Sequence, residues 1–432
     1  MTGFIVKYRR IFYSAALFII MFAFLCAMGE ELLVSVCFSL IYLFALLIFA
    51  FKKDMDDGVF LVAAAASAAL VYVRVCLLAH VTGDYAYGFE YWMEDMLKYP
   101  GMTGLAQNIG NYNTPYMFIL WLIAKSGLDR LVLVKAVNCV FDVMLAYYVM
   151  KCVELKTDKK AAHFIAFIAA LGLPTVFLNS AYWGQCDMIF TAFAVASVYY
   201  GIKGKSAACV LMFSIGFAFK LHPIFLAAGF AALFMNKRLD WRHIWIFFAV
   251  YVGAQLPAFI AGMNVFAALA RPFTGMEGMT YDSMVLNAPT LWSFFPNVSY
   301  EMFSTAAIFL AGAAVLCFGY YVWSIRARIK TPIAYMLIFY LSTMIMTYLL
   351  PSMHERYYCI SDSIALILVF YDSRKWYIPF VTCLGSLLSY MPYLTGITLI
   401  EFPILSAAFL LVIVLALREL SKEANKEVSL EG

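Results

Sequence analysis

His354, Glu355 and Arg356 follow one another just after an apolar run ends at Pro351, and Tyr357 and Tyr358 lead into the next run. Four other clusters of polar and aromatic residues sit at the borders of apolar runs: GDYAYGFEYW (83–92), SAYWGQCD (180–187), FKLHP (219–223) and RPFTGMEGMTYD (271–282). They offer carboxylates (Asp84, Asp187, Asp282), cations (Lys220, Arg271, Arg356), imidazoles (His222, His354) and aromatic or amide groups (Tyr85, Trp183, Gln185, Tyr357). A carboxylate can take a proton from a hydroxyl. Cations can hold phosphate oxygens, Arg two at once, and stabilise charge that grows on them. Aromatic rings can face a sugar. The set suits chemistry on a lipid-anchored, anionic substrate.

Each residue also has a plainer reading. Asp84 could be an ordinary loop acid, and Asp187 could cap a helix N-terminus. Lys220 could snorkel to headgroups, and His354, Glu355 and Arg356 could form an internal salt bridge. A charge at the centre of a membrane helix costs about 2.5–3.5 kcal/mol on insertion scales. Five such clusters on one membrane face therefore argue for a shared site.

The rest of the chain dictates that common face. Of 432 residues, 65% are hydrophobic and 13% charged, against about 45–50% and 25% in soluble domains. Apolar runs of about 20 residues can cross a bilayer. The pattern predicts an all-α polytopic transmembrane bundle of about fourteen spans, with no alternation of the kind a β-barrel needs. The two members of 206–235 are short and fit a re-entrant or tilted hairpin. With the N-terminus in the cytoplasm, 22 of the 30 Lys and Arg residues fall in cytoplasmic turns, as the positive-inside rule requires. Lys7, Arg9 and Arg10 before the first run read as a retained signal anchor. Segment 81–130 is then a long outer loop, in which TPYMFILWLIA (114–124) is too short to span and predicts an interfacial helix. The chain reads as one membrane-embedded domain, 1–432: two extra N-terminal spans (1–57), a core (58–400), and a last span with a cytoplasmic tail (401–432).

Several patterns exclude other chemistry. The ten cysteines form no CxxC pair, so neither zinc ligation nor a disulfide framework is indicated. HERYY is not HExxH. GIKGKS (201–206) lacks the first glycine of a P-loop and is a basic turn. Nothing points to nucleic acid.

For sugar transfer from a polyprenyl phosphate, the leaving phosphate needs no general acid. One carboxylate therefore suffices, whereas glycosidases need a pair. GDYAYGFEYW, NTPY, SAYWGQCDMIF, FAFKLHP, APTLW and PSMHERYY, in this order, resemble the GT-C superfamily of polyprenyl-phosphate-sugar-dependent glycosyltransferases. The nearest likeness is to the lipid-linked-oligosaccharide glucosyltransferases and to bacterial proteins similar to the second mannosyltransferase of GPI-anchor synthesis. The resemblance implies a GT-C type bundle with Asp84 as catalytic base. Donor phosphate would fall to His354, Arg356 and Lys220, with His222 and Arg271 beside them. Asp187, Trp183, Gln185, Tyr85, Glu355 and Tyr357 would contact substrate, Glu355 orienting its neighbours or pairing with a cation. The expected partners are a polyprenyl-phosphate hexose, with mannose favoured, a glycan, lipid or protein acceptor, and the bilayer. The sequence names no definite cofactor, and Asp84 and Asp187 leave a divalent metal (Mg or Mn) open. The active face would be extracytoplasmic in a bacterial plasma membrane, or lumenal in the ER. A transporter or flippase would instead place charges along a path through the spans. Here Arg74, Asp142 and Asp362 are the clear mid-span exceptions. A lipid-linked glycan polymerase or ligase would share the outer site.

Overall fold

A backbone in lipid must satisfy its own polar groups, and the long apolar runs accordingly form helices. In the computed structural model, which describes residues 2–52, 55–274 and 283–426, the helices run in chain order as follows. The first half holds α1 (Thr2–Ala27), α2 (Leu32–Ala50), α3 (Asp57–Cys76), α4 (Glu90–Leu97), α5 (Thr114–Ser126), α6 (Arg130–Val153), α7 (Lys160–Leu171), α8 (Pro174–Phe177), α9 (Asp187–Ile202) and α10 (Ser206–Phe219). Then come α11 (Ala227–Met235), α12 (Ile244–Gly253), α13 (Leu256–Ile260), α14 (Val265–Thr274), α15 (Tyr300–Ser324), α16 (Pro332–Leu349), α17 (Cys359–Tyr371), α18 (Tyr377–Thr395) and α19 (Phe402–Lys426). Among the described residues, 8 helices are long and apolar enough to cross a membrane, or 9 if the bent pair around Pro174 is one span. The chain is an all-α, multi-pass membrane protein. Asp187–Ile202, Ser206–Phe219 and His222–Met235 are apolar but shorter, the last two meeting at a break around Lys220. In the long first loop, the predicted short apolar helix is α5, 13 residues. At 1.5 Å per residue it is about 20 Å long, short of a bilayer core.

Irregular backbone is concentrated where the polar clusters lie. Two π-helical turns, Tyr85–Phe89 and Leu178–Trp183, adjoin Asp84 and the Gln185–Asp187 segment. Such turns are rare and frequent at functional sites. The second turn follows a 43° bend between α7 and α8, where Gly172 and Pro174 interrupt the helix. Arg74 holds this break: its guanidinium donates to the Leu171 carbonyl (2.8 Å) and to Asp142 (2.8 Å), which also accepts from the Ser180 hydroxyl (2.6 Å). Both members of the ion pair are fully buried. Breaking such a pair by removing one partner costs about 3–5 kcal/mol, so the bend is firmly set.

Lys135 does the same for the first loop. Its buried ammonium donates to the carbonyls of Leu77, Leu78 and His80 (3.3, 2.8 and 2.6 Å). These are acceptors that the end of α3 leaves without helical partners. The chain therefore leaves α3 in one direction, towards Asp84.

Candidate functional site

Four distant segments deliver their polar residues to one place. Asp84 Oδ2 accepts from the Trp183 indole N–H (3.0 Å) and the Gln185 amide (2.5 Å) and lies 3.8 Å from Arg356. The Tyr393 hydroxyl accepts from the Asp84 backbone N–H (3.1 Å), and its ring stacks on Trp183 at 4.3 Å. Asp84 is thus held by neutral donors, yet its side chain keeps 32% of its exposure. It can reach a substrate hydroxyl without first breaking a strong ion pair.

Asp187 is the opposite case. It is fully buried, with Lys220 at 2.6 Å, Arg356 Nε at 3.2 Å and the Asn179 amide at 3.0 Å. Gly184, at φ +83, turns the chain between Trp183 and Gln185, a backbone region open to glycine at little cost. The Asn138 amide donates to the Gly184 carbonyl (2.9 Å) and fixes that turn. Trp183 and Gln185 therefore serve Asp84 while Asp187 serves the cations.

The cations line a cavity of about 450 Å³. Lys220, His222, His354, Arg356 and Tyr357 form its polar part, and Ile224, Ile308, Met346 and Leu350 its apolar part. Tyr357 organises the polar wall. Its ring lies 4.8 Å from the Lys220 ammonium and 4.0 Å from the His222 ring, an arrangement that favours a cation over an aromatic face. His222 Nδ1 is buried with no hydrogen-bond partner. Burial, with Arg356 beside it, brings His354 down to about 2, so at neutral pH it supplies an N–H rather than a charge. Burial pushes Glu355 up to about 7. Both of its carboxyl oxygens lack hydrogen bonds; Arg356 is the nearest cation, at 3.5 Å, and the neutral His354 ring lies 3.9 Å away.

The position of the His354 segment is set from outside. β1 (Val285–Leu286) pairs in parallel with β2 (Met353–His354). Ser352, in the left-handed region at φ +53, donates its N–H to the Met284 carbonyl (2.9 Å) and its hydroxyl to Ser283 (2.7 Å). A non-glycine residue held there is strained by about 1–3 kcal/mol and persists only where its surroundings over-determine it. Tyr358 and Trp292 add bonds to the carbonyls of Pro289 (2.8 Å) and Leu349 (2.8 Å). The APTLW segment thus acts as a brace.

No protein-family model matches the chain, and no curated protein matches it.

The structure brings together Asp84, Trp183, Gln185, Asp187, Lys220, His222, His354, Glu355, Arg356 and Tyr357. It sets two expected members apart. Arg271 donates to the carbonyls of Leu105 (3.4 Å) and Ile109 (2.7 Å), fastening α14 to the first loop. Tyr85 is turned into the loop core, where its hydroxyl donates to Glu90 (2.6 Å), which in turn meets Arg130 (2.5 Å). Asp282 lies outside the described residues. Trp183 and Gln185, expected against substrate, donate to Asp84. The geometry also adds Asn179, Tyr393 and Tyr112, whose hydroxyl donates to Gln185 (2.7 Å). Asn179 lies eight positions before Asp187 on the far side of the Gly184 turn, and it is that turn that brings the two together. Tyr393 carries no sequence signal, because it arrives from a span 309 residues after Asp84.

A divalent metal fits poorly between Asp84 and Asp187. Their oxygens face Lys220, Arg356, Asn179, Trp183 and Gln185. Among the described residues no three His, Cys, Asp or Glu side chains gather as a ligand set.

Proposed function

We propose that this protein is an inverting hexosyltransferase. It would move a sugar, with mannose the favoured candidate, from a polyprenyl phosphate to an acceptor hydroxyl on the extracytoplasmic face. The bundle would be of GT-C type with about fourteen spans, the shorter apolar helices included. One juxtaposition carries the reading: a partly exposed carboxylate, hydrogen-bonded only by neutral donors, stands 3.8 Å from the arginine of a cation-lined cavity.

The chemistry follows from those positions. Asp84 takes the proton of the acceptor hydroxyl as its oxygen bonds to the anomeric carbon. The bond from that carbon to the donor phosphate breaks on the opposite side, which inverts the configuration. Charge grows on the departing phosphate, where Arg356 and Lys220 supply positive charge and His354 and His222 supply ring N–H groups. Asp187 keeps the two cations in place and takes no part in proton transfer. The apolar wall of the cavity is where the first isoprene units would lie.

The test is transfer by purified protein in detergent. Radiolabelled polyprenyl-phosphate mannose and glucose are offered with an extracted pool of host lipids and glycans, alongside Asp84→Asn and Arg356→Ala. Donor-dependent product that both substitutions remove supports the reading and names the sugar. Folded protein that neither binds donor nor forms product turns the assignment to a transporter or flippase.

A further inference from the structure

A second cavity, of about 1050 Å³, lies at the other end of the bundle. It sits where α3 and α7 begin, next to the turn joining α6 to α7. The two helices are fastened at their far ends, where Arg74 on α3 donates to the Leu171 carbonyl of α7 (2.8 Å). Gly172 adds to this closeness, since a Cβ there would stand 3.3 Å from Leu70. Towards their starts the helices part. The space between them is lined by Val59 and Val62 from α3, and by Ala161 and Ile165 from α7.

This cleft has an apolar wall and a charged mouth. Val62 is 60% and Ile165 52% exposed; α3 is long and apolar enough to cross a membrane, and α7 is so when taken with the bent segment that follows it, which suits these side chains to hydrocarbon. At the mouth stand Lys52, Lys151, Lys160, Asp56, Glu154 and Asp158. Most of these charges are committed. Glu154 holds Lys52 at 2.8 Å and also meets Lys151. Burial alone would raise its carboxyl, yet these two lysines hold it below the usual range. Asp56 caps α3 by accepting from the Gly58 N–H (2.8 Å). Lys160 has no ion pair among the described residues and stands at the edge where apolar wall meets water.

Protein interiors pack nearly as densely as organic crystals. A wedge of this volume, with exposed apolar side chains on both of its helices, has room for an acyl chain. We propose that it is a binding site for a phospholipid of the leaflet on this side. The phosphodiester would sit against Lys160 at the mouth, and an acyl chain would run along Val59, Val62 and Ile165. A basic residue near an anionic leaflet is attracted to its headgroups without selecting one lipid. The cleft adds shape, and with it retention of one lipid rather than general attraction. The site is separate from the cavity lined by Lys220 and Arg356 and does not depend on the proposed reaction.

The test is lipid retention by the full chain after exhaustive detergent exchange, read by native mass spectrometry. Phosphatidylethanolamine, phosphatidylglycerol, diacylglycerol and glycerol 3-phosphate are added back separately, to wild type, Lys160→Glu and Ile165→Trp. Both changes are at exposed positions, and a thermal melt of each variant checks the fold. Expected is one retained phospholipid per wild-type chain, at least five-fold less in each variant, and no retention of diacylglycerol. Equal phospholipid retention in all three proteins overturns the proposal, as does retention of diacylglycerol to the same level. Binding of glycerol 3-phosphate without lipid also overturns it, by making the ligand a free phosphate.

Discussion

Asp84 and Asp187 share one guanidinium: Arg356 lies 3.8 Å from the first and 3.2 Å from the second. They are otherwise unlike. Asp187 is sealed among Lys220 and Asn179, while Asp84 keeps only neutral donors and partial exposure. That difference separates a carboxylate that fixes cations from one that can accept a proton.

Asp84→Asn should therefore leave folding and donor affinity unchanged and remove turnover. Loss of a positioned base slows a reaction by about 10²–10⁴-fold. Single-turnover transfer and donor binding, measured on the same preparation, check this. Turnover within a factor of three of wild type would show that Asp84 is not the base.

Asp187→Asn should be costly to the fold. It leaves Lys220 and Arg356 without their buried counter-charge, and breaking such a pair costs about 3–5 kcal/mol. The double variant Asp187→Asn/Lys220→Met should recover part of that loss, because the second change removes an uncompensated buried charge. Thermal unfolding in detergent reads both. A double variant no more stable than the single one would contradict the pairing.

Trp183→Phe and Gln185→Leu each remove one donor from Asp84 while leaving the cavity cations in place. Turnover should fall by about 10–100-fold, since small misplacements of a reacting group are costly. The KM for donor should stay near the wild-type value. A rise in KM with unchanged turnover would mean that these side chains bind substrate instead.

Glu355 makes stability depend on pH. Burial raises its carboxyl from 4.5 to about 7 in the folded protein. Between these values the folded state holds a proton that the unfolded state has released, so stability falls as pH rises through this window. The penalty is absent below about pH 4.5 and complete above about pH 7, on the order of 3 kcal/mol. Glu355→Gln should stabilise the protein at pH 8 and flatten the dependence. Parallel melting curves of the two proteins from pH 5 to 8 would argue against a buried carboxyl that lacks hydrogen bonds.

Much of this protein is legible in the sequence because lipid imposes few solutions. Apolar run length gives the helices, and the lysines and arginines of the turns give their expected sidedness. The clustering of Asp84, Asp187, Lys220, His354 and Arg356 follows once their segments are placed at the same ends of helices. Short segments such as 206–219 and 359–371 are harder, since length alone does not say whether a 13- or 14-residue helix crosses.

Tertiary structure decided which side chain serves which. Trp183, Gln185 and Asp187 stand within five positions, yet a left-handed turn at Gly184 and a π-helical segment before it send the first two to Asp84 and the third to Lys220 and Arg356. Tyr85 adjoins Asp84 but points away, because the π-helical turn directs it to Glu90. Tyr393 reaches Asp84 from a span near the other end of the chain. Composition fixes the solvent a segment prefers, and periodicity fixes its local backbone. Which buried donor meets which acceptor depends on helix packing and on breaks in the helices, and these join residues hundreds of positions apart.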